Sequence, residues 1–277
     1  ACTARDDHGD DRRRERPDAV TDRLVSYLRA RLIDAGQECF PYQIMSDEEM
    51  SAIEVGDDSP FVVRPWIDSQ DDVDTALAAR FGQRSLLLRG LLEVNTDAGS
   101  DEPSITIGDD LQFVIDSRRQ GVGYIMARSS SRDEQSACNN ALQPQIGTFE
   151  EEIDGEGYHL FTACTYAAAM RRLAAWALPD VSHHGAEART RIPVGRWGEW
   201  IVNELGVDST VGEIDFFLPC ADDPAVPETW RIAHAYGAGV LGLREGETVL
   251  VVSMTTDRLA ARLSRRVSQS LGVAVDG

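Results

Sequence analysis

The order of apolar and polar residues along the chain predicts a mixture of helices and strands. Residues 19–36, AVTDRLVSYLRARLIDAG, have apolar residues at helical spacing, and Gly36 stands where a helix C-cap belongs. The apolar positions of this segment are Leu24, Tyr27, Leu28, Leu32 and Ile33. In IMSDEEMSAI, Ser46 precedes Glu49 by three residues, which is the capping-box signature of a short helix.

A longer helix is predicted in DDVDTALAARFGQRSLLLRGLLEV, residues 71–94. Its helical spacing passes through Leu77, Phe81, Leu86 and Leu87. The aspartates at its start suit the positive end of a helix dipole, and Gly82 and Gly90 are the positions at which the helix can break or end.

Two stretches of the chain share one order of features. GEGYHLFTACTYAAAMRR starts at Gly155, and GETVLVVSMTTDRLAARL starts at Gly246. In each, a Gly-Glu turn leads into an apolar run, a threonine and a helical pattern with arginines. The offset is the same for the glycines (246 − 155 = 91) and for Thr165 and Thr256 (256 − 165 = 91). This indicates one structural unit that occurs twice.

The repeat can be extended to residues 105–176 and 196–267, each with a helix, strands, a hairpin turn and a closing helix. Residues 131–144 are predicted to be a loop. Thr165 and Thr256 are predicted N-caps of the closing helices. The predicted stripes of these helices are Tyr166, Met170, Leu173 and Ala177 in the first, and Leu259, Leu263, Val267 and Leu271 in the second.

The predicted fold class is therefore α+β, with a pseudo-two-fold antiparallel sheet built from two ββα-type repeats and flanked by helices. Residues 1–17 are dominated by charge and are predicted to be a disordered tail. Residues 18–277 are predicted to form one domain.

Charge and composition argue against several classes of function. The net charge of −20 argues against binding to nucleic acid, because phosphates are bound mainly by clustered basic residues. All 27 basic residues are arginine, which is typical of a GC-rich genome and points to an actinobacterium. No stretch has the roughly 20 apolar residues of a membrane helix, and the first residues lack the apolar core of a secretory signal. We therefore expect a cytoplasmic protein without membrane insertion.

Candidate catalytic and metal-binding residues are few. Five cysteines show no zinc-site spacing. His183 and His184 are adjacent in a linker, a placement that rarely converges on one ion, and Cys164 precedes a predicted helix but has core-like surroundings. The run FEEEID is predicted to be a solvated strand face. The sequence thus predicts a protein that binds another protein, with no catalytic residues, no metal and no cofactor.

Two alternatives remain. RSLLLRGLLEV could be a helix of a winged-helix transcriptional regulator, although Arg84 and Arg89 flanking leucines favour a buried helix with two snorkelling arginines. The other alternative is an enzyme whose site is not recognisable from the sequence.

Several segments together resemble the EspG proteins of type VII (ESX) secretion systems. They are IMSDEEMSAI before a proline-containing extended stretch, then RSLLLRGLLEV, then a helix, a strand and an acidic strand–turn–strand–helix unit. The resemblance covers roughly residues 40–272, and its motifs are degenerate. The helix at 19–35 and the charged tail before it are not part of the family pattern.

The resemblance implies a cytoplasmic chaperone that binds secreted helical substrates of the PE–PPE type before export and shields an aggregation-prone tip. In the family, the partner surface includes a strand–strand loop of the first half together with helices toward the C-terminus. On this chain the loop corresponds to residues 131–144. The partner-binding residues implied there are Arg132, Asn139, Asn140 and Leu142.

Overall fold

The protein contains seven α-helices among the residues that the structure describes. The computed structural model describes residues 26, 29–53, 64–69, 74–95, 104–131, 135–143, 147–179, 181, 189–219 and 227–273. A π-helical turn spans Arg29–Asp34. The α-helices are α1 (Asp47–Ile53), α2 (Pro65–Asp68), α3 (Thr75–Leu88), α4 (Asp109–Arg119), α5 (Tyr166–Ala177), α6 (Trp197–Leu205) and α7 (Thr256–Leu271).

The strands form one large sheet and one small hairpin. They are β1 (Cys39–Ser46), β2 (Leu92–Asn95), β3 (Ser104–Ile107), β4 (Gly123–Ser130), β5 (Gln135–Gln143), β6 (Gly147–Ile153), β7 (Tyr158–Cys164), β8 (Arg189–Pro193), β9 (Thr210–Phe217), β10 (Glu228–Ala235), β11 (Ala238–Glu245) and β12 (Thr248–Ser253). The ten-stranded sheet has the order β1-β7-β6-β5-β4-β9-β10-β11-β12-β8, and β2 pairs with β3 separately. All pairings are antiparallel, so the protein has an α+β fold with helices flanking an antiparallel sheet.

The two halves of the large sheet have the same order of elements. The first is α4, the meander β4 to β7, and α5; the second is α6, the meander β9 to β12, and α7. The constant offset of 91 residues is wrong, because β4 and β9 start 87 residues apart (210 − 123). The spacing changes mainly because the connections differ in length, with four residues between β4 and β5 and ten between β9 and β10.

The helix N-caps agree with the prediction in the first half only. Thr165 caps α5, and its hydroxyl accepts from the amide of Ala168 at 3.3 Å. In the second half the cap is Thr255, which accepts from the amide of Arg258 at 3.4 Å. Thr256 is instead the first residue of α7, and its hydroxyl donates to the carbonyl of Leu178 at 2.6 Å. This bond fixes the start of α7 to the end of α5.

One face of the sheet is covered by α5 and α7. The predicted stripe of α5 is buried at all four positions, and on α7 Leu259, Leu263 and Val267 are buried while Leu271 is partly exposed. These side chains pack on strand residues from both halves, including Ile125, Phe216 and Ile232. A single core therefore joins the two halves on this face.

The opposite face is covered by different helices in each half. Over the first half, α1, α3 and α4 bury an aromatic core that includes Phe149 and Phe161, whose rings stack with centroids 5.7 Å apart. Over the second half, Ile201 of α6 is buried against β10, β11 and β12. Between these two layers, part of the sheet face is left open.

The capping box predicted at the start of α1 is confirmed. The amide of Glu49 donates to the hydroxyl of Ser46 at 3.4 Å, and the amide of Ser46 donates to the carboxylate of Glu49 at 3.3 Å. The same carboxylate accepts from Ser85 at 2.6 Å and from Arg89 at 2.5 Å, both on or next to α3. The short helix is thereby joined to α3.

The prediction of a loop at residues 131–144 is wrong, because strand β5 occupies most of this segment. Leu142 is fully buried on the face under α5, and Asn139 and Asn140 are also buried. Arg132 lies outside the described residues. Since β5 lies between β4 and β6 and both of its faces are covered, it lacks the apolar–polar alternation of a half-exposed strand.

The sequence predicted that the glutamates of FEEEID form a solvated strand face, and this prediction is wrong. Glu150 and Glu151 are buried on opposite faces of β6. The carboxylate of Glu150 accepts from the guanidinium of Arg172 at 2.7 Å, and that of Glu151 accepts from Arg118 at 3.2 Å. Each buried charge is therefore compensated by an arginine from the helix above it.

Candidate partner-binding groove

An open groove lies on the sheet face between the two helical layers. Its volume is about 540 Å³. The start of α2 and the region around the start of α6 form its walls, and the ends of β4, β5, β9 and β10 form its floor. The lining residues are Pro65, Arg128, Ser129, Ser130, Gln135, Ser136, Val194, Trp197, Gly198, Val211, Gly212, Glu213 and Arg231. The groove thus combines residues of both halves of the sheet.

Two arginines of the groove are held by carboxylates on β9. The guanidinium of Arg128 donates to Asp215 at 2.9 Å, yet 57% of the Arg128 side chain is exposed. Arg231 lies 3.5 Å from the carboxylate of Glu213 and 6.0 Å from the ring centre of Trp197. These contacts orient both cations toward the groove without a local excess of positive charge.

The rest of the surface mixes apolar and hydroxyl groups. Pro65, Val194, Trp197 and Val211 supply the apolar area. Serine hydroxyls and the Gln135 amide come from the ends of β4 and β5, on either side of residues 132–134. Two residues of the segment predicted as a recognition loop, Gln135 and Ser136, therefore border the groove. Asn139, Asn140 and Leu142, further along, do not line it, and their role in partner binding stays a prediction that their burial disfavours.

A buried charged cluster holds one wall of the groove. His159 on β7 lies between two buried carboxylates, with Nδ1 2.7 Å from Glu151 and Nε2 2.8 Å from Asp47. Asp47 also accepts from the amides of Trp66 and Ile67 at 2.9 and 3.0 Å. These two amides belong to the first turn of α2, so the cluster fixes the helix that carries Pro65.

The environment of His159 favours its charged form. Burial lowers the pKa of His159, but the hydrogen bonds to Asp47 and Glu151 outweigh this and raise it to about 9. Burial likewise raises the pKa of Glu151, and the charge of Arg118 with the hydrogen bond from His159 lowers it to about 2. His159 is therefore an imidazolium at neutral pH, and it donates to both carboxylates.

These pKa values predict how stability changes with pH. The folded pKa of His159 lies above its ordinary 6.5, so its contribution is complete below 6.5 and lost as the pH rises through about 9. The folded pKa of Glu151 lies below its ordinary 4.5, so its contribution is complete above 4.5 and lost as the pH falls toward about 2.

Urea unfolding of the wild type and of His159→Gln at about pH 6 and about pH 9 isolates the contribution of His159, because other groups titrate in both proteins. We expect the wild type to lose more stability than the variant between these two pH values. Equal losses would contradict a charged His159.

Cys164, which was also considered from the sequence, lies opposite Cys39 on the neighbouring strand. Burial and a hydrogen bond to Cys39 both act on Cys164, with the hydrogen bond the larger cause, and they raise its pKa well above the ordinary value. His183 and His184 lie outside the described residues. Over the ranges that the structure describes, no three histidine, cysteine, aspartate or glutamate side chains are grouped to hold a metal ion.

A second exposed surface is apolar. On α3, Leu77, Phe81 and Leu88 face solvent, and Leu88 is 88% exposed. The hairpin of β2 and β3 that follows exposes Val94 and Ile105. Arg89, which was predicted to snorkel, donates to the buried carboxylate of Glu49 and to the carbonyl of Ile44. The outward face of α3 is therefore suited to contact with protein more than with nucleic acid.

The described part of the chain contains no helix that is both long enough and apolar enough to cross a membrane.

No protein-family model matches the chain, and no curated protein matches it. Among solved structures, the chain is similar to the type VII secretion system chaperone EspG5 of Mycobacterium tuberculosis, in a complex with a PE25–PPE41 dimer. The TM-score is 0.49 and the sequence identity is 9%, with 82% of this chain and 95% of the EspG5 chain covered.

Proposed function

We propose that the protein is a non-enzymatic chaperone or adaptor that binds a helical secreted protein, of the PE–PPE type implied by the EspG-like sequence motifs, before export. The observation that carries this proposal is the open groove between the helical layers, whose surface mixes apolar residues with oriented hydrogen-bond donors. Such a mixture is typical of protein-binding surfaces. Binding would take place in the cytoplasm, before the partner is secreted.

The chemistry of the groove fits the C-terminal end of a partner helix or helical hairpin. The last four carbonyls of a helix lack partners within the helix and carry partial negative charge. Arg128 and the serines at the ends of β4 and β5 are donors placed along one side of the groove. Val211 and Trp197 offer apolar contacts to the side chains of the last turn. A helix tip bound here would be shielded from aggregation.

The arrangement of charges favours binding over catalysis. The two arginines of the groove are each paired with a carboxylate, at 2.9 Å for Arg128 and 3.5 Å for Arg231. Asp215 also accepts from the hydroxyl of Thr229 at 2.5 Å, which further satisfies this carboxylate. Groups held in this way can orient a partner but are poor candidates for proton transfer.

The alternative of a winged-helix regulator is not favoured. A recognition helix needs an exposed face of basic and polar residues, whereas α3 exposes three large apolar side chains, Leu77, Phe81 and Leu88, beside Arg80 and Arg84. The net charge of −20 also argues against binding to DNA.

We further propose that residues 18–277 form one domain in which the two halves are copies of one ancestral unit. The matching order of helix, four-stranded meander and helix in both halves supports this. The groove lies beside the pairing of β4 with β9, where the two units meet. A duplicated unit thereby supplies a surface that neither copy has alone.

Affinity purification of the tagged protein from its own cells, with and without changes in the groove, tests the proposed function. We expect the wild type to retain a predominantly helical protein that is also found in the culture medium, and a Val211→Glu variant to lose it. A captured protein that is not exported, or one retained equally by the variant, would contradict the proposal.

Arg128→Ala is expected to weaken binding of that partner at least about fivefold, because arginines are enriched among the central interface residues whose truncation costs about 1 kcal/mol or more. Arg191→Ala is the matched control. Arg191 also forms a strand-borne ion pair, at 3.0 Å from Glu245, and 64% of its side chain is exposed, but it lies outside the groove. In calorimetric titrations with that partner, the control should change the affinity by less than about twofold, because Arg191 does not line the groove and a distant exposed charge is screened by salt.

If both variants weaken binding equally, the effect is one of net charge, and the partner binds elsewhere on the protein.

A further inference from the structure

Two cysteines lie directly opposite each other on neighbouring strands. Cys39 begins β1, the outermost strand at one end of the sheet, and it is in register with Cys164 at the end of β7. The amide of Thr165 donates to the carbonyl of Glu38 at 2.8 Å. In an antiparallel ladder this bond places Cys39 and Cys164 at a non-hydrogen-bonded pair, where facing side chains are closest.

The geometry of such a pair suits a disulfide. The Cα atoms of facing residues at a non-hydrogen-bonded position are about 4.5 Å apart. Disulfides span Cα separations of about 4.4–6.8 Å. Both cysteines are present as free thiols, and their residues are paired directly across the two strands. The two sulfur atoms can therefore be joined without moving the strands far.

The two thiols differ in reactivity. Cys39 is partly exposed and Cys164 is buried. The hydrogen bond from Cys164 lowers the pKa of Cys39 below its ordinary value, burial acts against this, and the nearby charge of Arg172 adds to the lowering. An oxidant from solvent would therefore react first with Cys39, and Cys164 would be the resolving thiol behind it.

We propose that Cys39 and Cys164 are an oxidative modification site, at which a peroxide converts two thiols into a reversible disulfide between β1 and β7. The inference holds whatever partner the groove binds.

The reaction is balanced by hydrogen peroxide as the oxidant. The thiolate of Cys39 attacks one peroxide oxygen, the O–O bond breaks, and a sulfenic acid forms with release of one water. The sulfur of Cys164 then attacks the sulfur of Cys39, the S–O bond breaks, and a second water leaves with the proton of Cys164. Two thiols and one peroxide thus give one disulfide and two waters, and a dithiol reverses the change by exchange.

The disulfide would fix the outermost strand β1 to the sheet. β1 leads directly into the capping box and into Asp47, which anchors α2 at the groove wall. A link between residues 39 and 164 also closes a long loop, and long loops gain most from a cross-link in the chain-entropy model. Oxidation should therefore stabilise the part of the fold that carries this wall.

Peptide mapping by mass spectrometry after mild treatment of the folded, reduced protein with hydrogen peroxide tests the proposal. Trypsin must be combined with a glutamate-specific protease, because tryptic peptide 133–171 contains both Cys138 and Cys164. We expect a cross-linked peptide pair containing Cys39 and Cys164, removed by dithiothreitol. We also expect the oxidised protein to melt at least about 5 °C higher than the reduced protein.

Cys138→Ser is the matched control. Cys138 is buried in the same core, but it faces Glu152 on β6, whereas Cys164 faces Thr148. This variant should form the cross-link as the wild type does, and Cys39→Ser should leave Cys164 as a free thiol. Free thiols at both positions in the treated wild type, Cys39 oxidised only to the sulfinic acid, or Cys39 linked to another cysteine would each overturn the proposal.

Discussion

Replacement of His159 by alanine is expected to lower the free energy of unfolding by about 3–5 kcal/mol, because it removes the cation shared by two buried carboxylates. His159 and Asp47 are each 1% exposed and Glu151 is 3% exposed, so water has little access to replace the lost imidazolium. Glu151 would keep Arg118 and Asn139 as partners, whereas Asp47 would keep only the two amides of α2 among the contacts described above. The side of the cluster nearest the groove should therefore be affected most.

Urea unfolding followed by circular dichroism measures this loss. His234→Ala is a suitable control, because His234 also lies on a strand and is half-buried, and burial lowers its pKa. The control should change the free energy of unfolding by about 1 kcal/mol or less. A loss below about 1 kcal/mol for His159→Ala would mean that the cluster contributes little to the fold.

Replacement of Gly82 by alanine is expected to destabilise the protein by about 2–3 kcal/mol, although alanine is the better helix former. Gly82 lies within α3 at its contact with α1, and an added Cβ would overlap the carbonyl oxygen of Glu48. That oxygen belongs to the backbone of α1, so the two helices would have to separate. The contacts of Glu49 with Ser85 and Arg89 would be strained at the same time.

Gly198→Ala is the matched control for this prediction. Gly198 is also helical, in α6, and an added Cβ there would have no neighbour within 4 Å. Alanine at this position should raise the free energy of unfolding by up to about 1 kcal/mol, because glycine is the poorer helix former. Thermal unfolding of both variants should give shifts of opposite sign. Two shifts of the same sign would contradict the close packing of α1 and α3.

The helices were largely predictable from short-range patterns. The capping box at Ser46, the helix N-cap at Thr165 and the stripes of α5 and α7 all depend on residues within a few positions of one another. Such interactions act within one segment of chain, so they leave a local signal in the sequence. The helix predicted at residues 71–94 corresponds in part to α3, from Thr75 to Leu88; it ends just before Gly90, one of the two predicted stopping points, and Leu92–Asn95 form β2 instead.

The central strand β5 was not predictable in the same way. Its neighbours on both sides are strands, and helices cover both faces, so polar and apolar residues do not alternate along it. Asn139 is buried because its amide donates to Glu151, and Gln143 because its amide donates to the carbonyl of Ser117. These partners come from other elements, and the polar composition of the segment therefore suggested a loop.

The groove and the cluster beneath it depend on contacts that are distant in the chain. Arg128 pairs with Asp215, 87 residues away, and His159 contacts Asp47, 112 residues away. Trp197 and Trp200, in RWGEW, stand three positions apart near the groove, a local pattern from which no site was predicted, and their rings stack with centroids 6.3 Å apart. An isolated histidine in YHLFTAC or an arginine in YIMARSS carries no sign of its partner.

The sequence by itself determined the α+β class, most strands of the two successive sets with their closing helices, and the acidic net charge, because local propensity, side-chain periodicity and composition can be read directly from the chain. The tertiary structure alone decided which polar residues are buried, how the halves meet at β4 and β9, and where the groove opens. The physical reason is that a buried charge or amide is stabilised mainly by partners from other segments, and the sheet pairing chooses those segments.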